Sequence, residues 1–184
     1  VVSSLKFALK SQQAGVDAVV AEGFEAGGHN GREETTTMVL IPMVADQLDI
    51  PLIAAGGIDS GRAMVAAMAL GADAVQIGSR FVASNESSAH INFKNKVVET
   101  AEGGTMLSLK NLTPVRLIRN RFFEQVWEAE QRGADKEELA SILGRGRSKI
   151  GMFEGDLEEG ELEIGQVSGQ INEIKPAADI LKEI

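Results

Sequence analysis

The chain has 184 residues, 43% hydrophobic and 24% charged, enough for one domain with a sizeable core and too apolar for a disordered segment. Lys and Arg total 18 against 27 Asp and Glu, a net charge of −9, which speaks against a nucleic-acid binder, and no apolar run is long enough to cross a membrane. Zero cysteines exclude disulfides, thiolate metal sites and cysteine nucleophiles, and with no signal peptide they suit a cytoplasmic protein. His29 and His90 are the two residues able to shuttle protons near neutrality.

The chain opens Val1-Val2-Ser3-Ser4, read as the end of a strand and a helix cap, so a piece of a larger fold is expected. Apolar spacing predicts a helix over Ser4–Ala14, closed by Gly15, and a buried strand over Ala18–Ala21. A glycine-rich loop follows from Glu22 to about Glu34. Thr37–Leu48 reads as a helix with Pro42 in its first turn, Pro51–Ala55 as a strand ended by Gly56-Gly57, and Ser60–Leu70 as a helix stopped by Gly71. Asp59–Arg62 reads as the cap of that helix. Ala74–Ile77 reads as a strand ended by Gly78-Ser79. Gly15-Val16-Asp17-Ala18-Val19 recurs as Gly71-Ala72-Asp73-Ala74-Val75, each copy where a helix gives way to a strand. This alternation of strand, glycine turn and helix predicts parallel βαβ units.

Beyond Phe81 helices are expected: Ser87–Ala101, one capped by Thr113 with Pro114 at its first position and running to about Gln131, one from Asp135 to Gly144, and Pro176–Ile184. Glu154–Glu163 holds six acidic residues and reads as a solvated face. The expected division is a half-barrel over residues 1–86 and a helical, substrate-covering segment over residues 87–184.

Three glycine turns at the carboxyl ends of successive strands are where parallel α/β folds bind ligands, because glycine lets backbone N–H groups approach a phosphate. Turns that merely need positive φ would look the same one at a time. Gly56-Gly57-Ile58 with Gly78-Ser79 has the arrangement of a barrel phosphate site, and Ser79 adds a hydroxyl. His29, in a glycine-rich loop after a strand, points toward a ligand, whereas His90 in a helix reads as structural. Gly144-Arg145-Gly146 lacks the third glycine of a dinucleotide fingerprint and follows a helix. No P-loop, H-E-x-x-H or acidic metal cluster appears.

Glu22–Gly31, Ala54–Ile58, Asp59-Ser60-Gly61-Arg62, Leu70–Asp73 and Gly78-Ser79-Arg80-Phe81, in that order, resemble the nitronate monooxygenase family, formerly the 2-nitropropane dioxygenases, which includes the FMN-dependent enoyl-acyl-carrier-protein reductases of the second type. The resemblance covers the whole chain. It implies an α/β fold of TIM-barrel type, with this chain as the second half of a (β/α)8 barrel, strands five to eight, followed by a mostly helical segment. It makes His29 the catalytic histidine, Gly56, Gly57, Gly78 and Ser79 the holders of the FMN phosphate, and Glu22, Gly27, Gly28 and Ala55 the lining of the flavin. Strands one to four of the family's barrel are absent, and a barrel takes about 250 residues. The missing N-terminal half is therefore an expected partner, as is an oligomer.

The reaction expected first is oxidation of alkyl nitronates by oxygen on FMN, with His29 as the base that makes the nitronate from a neutral nitroalkane. The alternative is reduction of an enoyl thioester, with NAD(P)H as electron donor. An acidic acyl carrier protein would then be a partner, met by Arg116, Arg119, Arg121, Arg145, Arg147 and Lys149. A third reading, of another class, is an inactive half-barrel that binds flavin or phosphate.

Overall fold

The computed structural model describes residues 1–184. Helix α1 (Leu5–Gln13) leads into strand β1 (Val19–Glu22), the two-residue strand β2 (Gly28–His29), α2 (Thr37–Ala45), β3 (Leu52–Ala55), α3 (Gly61–Ala69), β4 (Ala74–Gln76) and α4 (Ser79–Val82). Strands β1, β3 and β4 form a parallel sheet in that order, and Val2 adds a parallel bridge to Ala21 on the outer side of β1. Three of the four parallel strands expected in residues 1–81 are thus present, the first is reduced to the bridge at Val2, and the loop expected from Glu22 to Glu34 holds the short strand β2 of another sheet.

Side chains alternate across this sheet. Val19, Ala21, Leu52 and Ala54 turn to the helices and join Ala8, Leu40, Ile41, Val44 and Ala67 in one buried core. The register sets Val20, Ile53 and Ala74, and then Glu22, Ala55 and Gln76, in rows on the opposite face. That second row lies at the carboxyl ends of the strands, beside the glycine turns.

Two helix expectations need adjusting in detail. Ser4 precedes α1 without a side-chain cap bond, whereas the Ser60 hydroxyl accepts from the Ala63 N–H at 3.4 Å. Pro42 lies in the second turn of α2 rather than the first, so the carbonyl of Met38 goes without its helical donor; Met38 is exposed, and water can serve it.

The second half departs further from an all-helical reading. After α5 (Ile91–Glu99), β5 (Thr105–Ser108) and β6 (Val115–Ile118) pair antiparallel, and β2 joins the far side of β6. The helix expected to start at Thr113-Pro114 is therefore a strand up to Ile118. Pro114 gives its carbonyl to the Asn30 N–H at 2.8 Å, and Val115–Ile118 is buried at every position, a central strand with no face turned to solvent. The helix proper is α6 (Arg121–Gln131), where Asn120 accepts from the Phe123 N–H at 2.9 Å. Helix α7 (Lys136–Leu143) starts on an Asp135 cap and ends at Gly144, as read from the sequence.

Helices α6 and α7 pack on β5 and β6 through Leu117, Phe122, Phe123, Val126 and Leu139. A π-helical turn (Lys149–Phe153), a 3-10 turn (Gln166–Gln170) and α8 (Ala177–Glu183) complete the chain. No helix is long and apolar enough to cross a membrane.

Candidate functional site

A cavity of about 270 Å³ lies over the carboxyl ends of β1, β3 and β4. Its floor is the row Glu22, Ala55 and Gln76, its wall the turns Gly56-Gly57-Ile58 and Gly78-Ser79, and its roof Met152, Glu163, Ile164 and Val167. Seven of the eight expected cofactor residues line it: Glu22, Gly27, Ala55, Gly56, Gly57, Gly78 and Ser79. Gly28 does not. It sits behind the wall with φ +76, where a Cβ would meet the Glu163 Oε2 at 2.6 Å.

Chain geometry explains which glycines the protein itself requires. Gly56 and Gly57 have φ of +88 and +70, the left-handed region that glycine enters freely. Gly78 has φ −101 and open space around its missing Cβ. Neither its backbone conformation nor packing within this chain demands glycine there, and the residue lines the cavity. The backbone N–H groups of Gly56, Gly57, Ile58 and Gly78 donate to no protein acceptor. Ser79 Oγ accepts from the Gly165 N–H at 2.9 Å, which leaves its own proton free to donate. These donors, the hydroxyl and the open space at Gly78 fit an anionic phosphate on the turns.

The loop between β1 and β2 is held from three sides. Glu25 accepts from the Thr37 N–H at 3.1 and 3.0 Å and from the Thr37 hydroxyl at 3.0 Å, so its charge is spent on the N-terminus of α2. Arg116, 2% exposed, donates through Nε (3.1 Å) and Nη2 (2.9 Å) to the Phe24 carbonyl, and its guanidinium lies 4.3 Å from the centre of the Phe24 ring. Burial makes Arg116 weaker at holding its proton, with Glu25 and Glu34 opposing. Finally, a Cβ on Gly27 would lie 2.4 Å from the Ile164 carbonyl carbon: loop and roof touch backbone to backbone.

His29 stands on β2, exposed, opposite Val115. It lies outside the glycine cavity. It lines an adjoining cleft of about 630 Å³ with Val2, Ser3, Lys10 and Glu22, and a second of about 200 Å³ with Arg147, Ser148 and Glu161. Glu22 is common to the glycine cavity and the larger cleft, and burial raises its carboxyl above the usual range. Asn30 fixes the loop beside His29, donating to the Ala26 and Gly28 carbonyls at 3.0 and 3.1 Å. His90 is structural: its Nδ1 accepts from the Asn92 N–H at 3.1 Å at the start of α5.

Two surface readings are corrected. Arg116 belongs to the interior, and Arg147 donates to the carbonyl and carboxylate of Glu159 at 2.8 and 3.2 Å. Arg121 and Lys149 are also paired with acids, Glu159 and Glu154, so the six basic residues do not make one free basic face. The acidic run is not all solvated either. Leu162 and Ile164 enter the core, Glu161 is 6% exposed and Glu163 roofs the cavity. The alternation Glu161-Leu162-Glu163-Ile164 is the sequence signal for this, and the segment runs beside β6, with the Ile118 N–H donating to the Leu162 carbonyl at 2.9 Å.

Among solved structures, the FabK of Thermotoga maritima superposes with a TM-score of 0.93 at 43% identity, over 100% of this chain and 58% of that one. A nitroalkane oxidase from Streptomyces ansochromogenes gives 0.78 at 31%, over 99% and 54%. Probable nitronate monooxygenases of Staphylococcus saprophyticus subsp. saprophyticus and Staphylococcus aureus (strain Newman) are 39% and 34% identical over 68% and 81% of the chain. The chain spans 38% and 45% of the length of those two curated relatives. The likeness to FabK and the nitroalkane oxidase agrees with a partial TIM barrel plus helices, and the sequence model described as "Nitronate monooxygenase" matches residues 1–184. The chain belongs to the nitronate monooxygenase family.

Proposed function

We propose that the full-length protein is an FMN-dependent oxidoreductase that oxidises alkyl nitronates with oxygen. The observation that carries the reading is the glycine wall: four backbone N–H groups without protein acceptors, and a glycine at position 78 that neither φ nor packing within the chain requires. Gly56, Gly57, Gly78 and Ser79 would hold the FMN phosphate, with Glu22, Gly27 and Ala55 along the flavin and Gly28 behind the wall. Bound there, the flavin supplies the one- and two-electron chemistry. The chain's own residues position it and exclude water through the roof of Met152, Ile164 and Val167. His29, next to Glu22 in the larger cleft, removes the α-proton of a neutral nitroalkane.

A second reading, reduction of an enoyl thioester with NAD(P)H, is supported by the whole-chain likeness to FabK. It adds an acyl carrier protein as partner. Purified full-length protein should be yellow and carry FMN in stoichiometric amount. Reduction by NAD(P)H followed by turnover of an enoyl thioester supports the second reading, and turnover of nitronate with oxygen the first; a colourless protein that cannot be loaded with FMN overturns both. His29→Ala should lower turnover of neutral nitroalkane by roughly 10²–10⁴ and of preformed nitronate far less. Equal losses on the two substrates would refute the base.

A further inference from the structure

Ser148 Oγ lies within hydrogen-bond distance of two carboxyl groups, Glu161 Oε2 at 3.0 Å and Glu163 Oε1 closer still. A hydroxyl has one proton to give. The Ser148 proton can serve only one of the two contacts at a time, and a proton on one of the carboxyls, donated to Oγ, makes both attractive. The surroundings agree. Glu161 is 6% exposed, and Arg147, which lines the same cleft, is hydrogen-bonded to Glu159. His29 on β2 makes no ion pair with either acid, and Lys149 is paired with Glu154. Two ionised carboxylates in that position would have no ion-paired cation of their own. Burial, then the neighbouring Glu163, raises the Glu161 carboxyl, while the Ser148 hydroxyl, His29 and Arg147 pull it down.

The trio also has a direction. Glu163 roofs the glycine cavity, while Ser148 and Glu161 line the small cleft that contains His29. No other hydrogen-bonded side-chain chain joins the two spaces.

We propose that Glu163, Ser148 and Glu161 form a proton relay between the glycine cavity and the His29 cleft, holding one proton beyond that of the hydroxyl. At rest Glu161 holds the extra proton; it passes that proton to Ser148 Oγ as Ser148 passes its hydroxyl proton to Glu163, Glu163 releases a proton into the glycine cavity, and Glu161 takes one up from the His29 side. One proton leaves for each that enters, so proton count and charge are the same at the start and end of the cycle, and no other bond changes. The three are positioning residues for proton traffic, and their role in turnover rests on the reading of His29 as the base.

The first test is infrared difference spectroscopy on full-length protein at neutral pH, without substrate. The carbonyl stretch of a protonated carboxyl should be present in wild type, retained in Ser148→Thr, and absent from both Glu161→Gln and Glu163→Gln, because a lone remaining carboxylate takes the hydroxyl's hydrogen bond in ionised form. Its absence from wild type, or its persistence in both Gln variants, overturns the relay whatever the enzyme's substrate. The second test is turnover. Ser148→Ala should lose roughly 10- to 100-fold on neutral nitroalkane, less than the full worth of a general base. Ser148→Thr should restore it, and preformed nitronate should be little affected. Equal loss on both substrates, or no rescue by Thr, counts against the relay. An enzyme with the infrared signature but no activity on either substrate retains the proton-holding trio and loses the reading of His29 instead.

Discussion

Gly78→Ala separates the two reasons for which a protein keeps a glycine. Backbone strain is absent, because φ is −101, and a Cβ would meet no protein atom within 4 Å. Where the native conformation suits alanine, the change reduces the entropy of the unfolded chain and stabilises by about 0.4–1 kcal/mol; at a helix N-cap alanine is the poorer residue by a similar amount, so the two effects nearly cancel. The flavin-free variant should therefore unfold within about 1 kcal/mol of wild type in urea. Binding is another matter. The Gly78 N–H has no protein partner, and a hydrogen bond from it to a charged phosphate would contribute about 1.5–3 kcal/mol. A methyl group in front of that donor removes most of this, a rise in Kd of roughly 10- to 100-fold. Titration of FMN into the flavin-free full-length variant, followed by quenching of flavin fluorescence, gives the number. An unchanged Kd would refute the assignment of the Gly78 turn to phosphate. A stability loss above about 2 kcal/mol would refute the claim that the protein does not itself need this glycine.

The other predictions concern what holds the site together. Gly27→Ala drives a Cβ to 2.4–2.6 Å from backbone atoms of Ile164 and Gly165, so urea unfolding should show a loss of about 1–3 kcal/mol, the opposite pattern to Gly78→Ala. Arg116→Met fills the space but strands the Phe24 carbonyl, and should cost about 2–4 kcal/mol in the same assay; a neutral result would show that water replaces the guanidinium. The Glu161 carboxyl is raised in the folded state, so its favourable contribution is complete below the unfolded value and is lost as pH rises through the folded one. Glu161→Gln should therefore gain ground on wild type as pH rises from about 4 toward neutrality, and urea midpoints across that range that stay parallel would contradict it. Gly57→Asp, which places a carboxylate in a position with φ +70 beside the amide cradle, should abolish FMN retention, measured by absorbance after gel filtration.

Residues 1–81 were legible because two periodicities and the glycine punctuation agree there. Short apolar runs such as Leu52–Ala55 have no polar face to hide, and each ends where a glycine turn begins. The half after Phe81 was harder for physical reasons. Val115–Ile118 is a four-residue run containing an arginine, and Thr113-Pro114 ahead of it carries the usual signature of a helix start. Only pairing with β2 and β5, distant in sequence, decides the matter. Arg116 looks like a surface cation until Phe24 supplies a carbonyl and a ring to bury it against. Glu161 and Glu163 were hidden in a charge run whose alternation with Leu162 and Ile164 outweighs its composition. Of the candidate site, the glycine turns and Glu22 could be read as one place because they end neighbouring strands. The roof could not, since Met152, Glu163 and Val167 reach the cavity through irregular segments.

The contact between Gly27 and Gly165 has a consequence for how such a protein can vary over evolutionary time. A Cβ on Gly27 meets the Gly165 nitrogen at 2.5 Å, and one on Gly165 meets the Gly27 nitrogen at 3.2 Å, with the Glu25 carbonyl and the Ser79 hydroxyl oxygen both at 2.9 Å. Each glycine is the other's wall, and neither can be exchanged alone without pushing the two backbones apart. Change is therefore costly at the seam and cheaper at Met152, Glu163 and Val167, which line the cavity while the two glycines keep the backbones in place. The seam constrains variation as a unit, and the ceiling beside it is where the shape of the cavity can be altered.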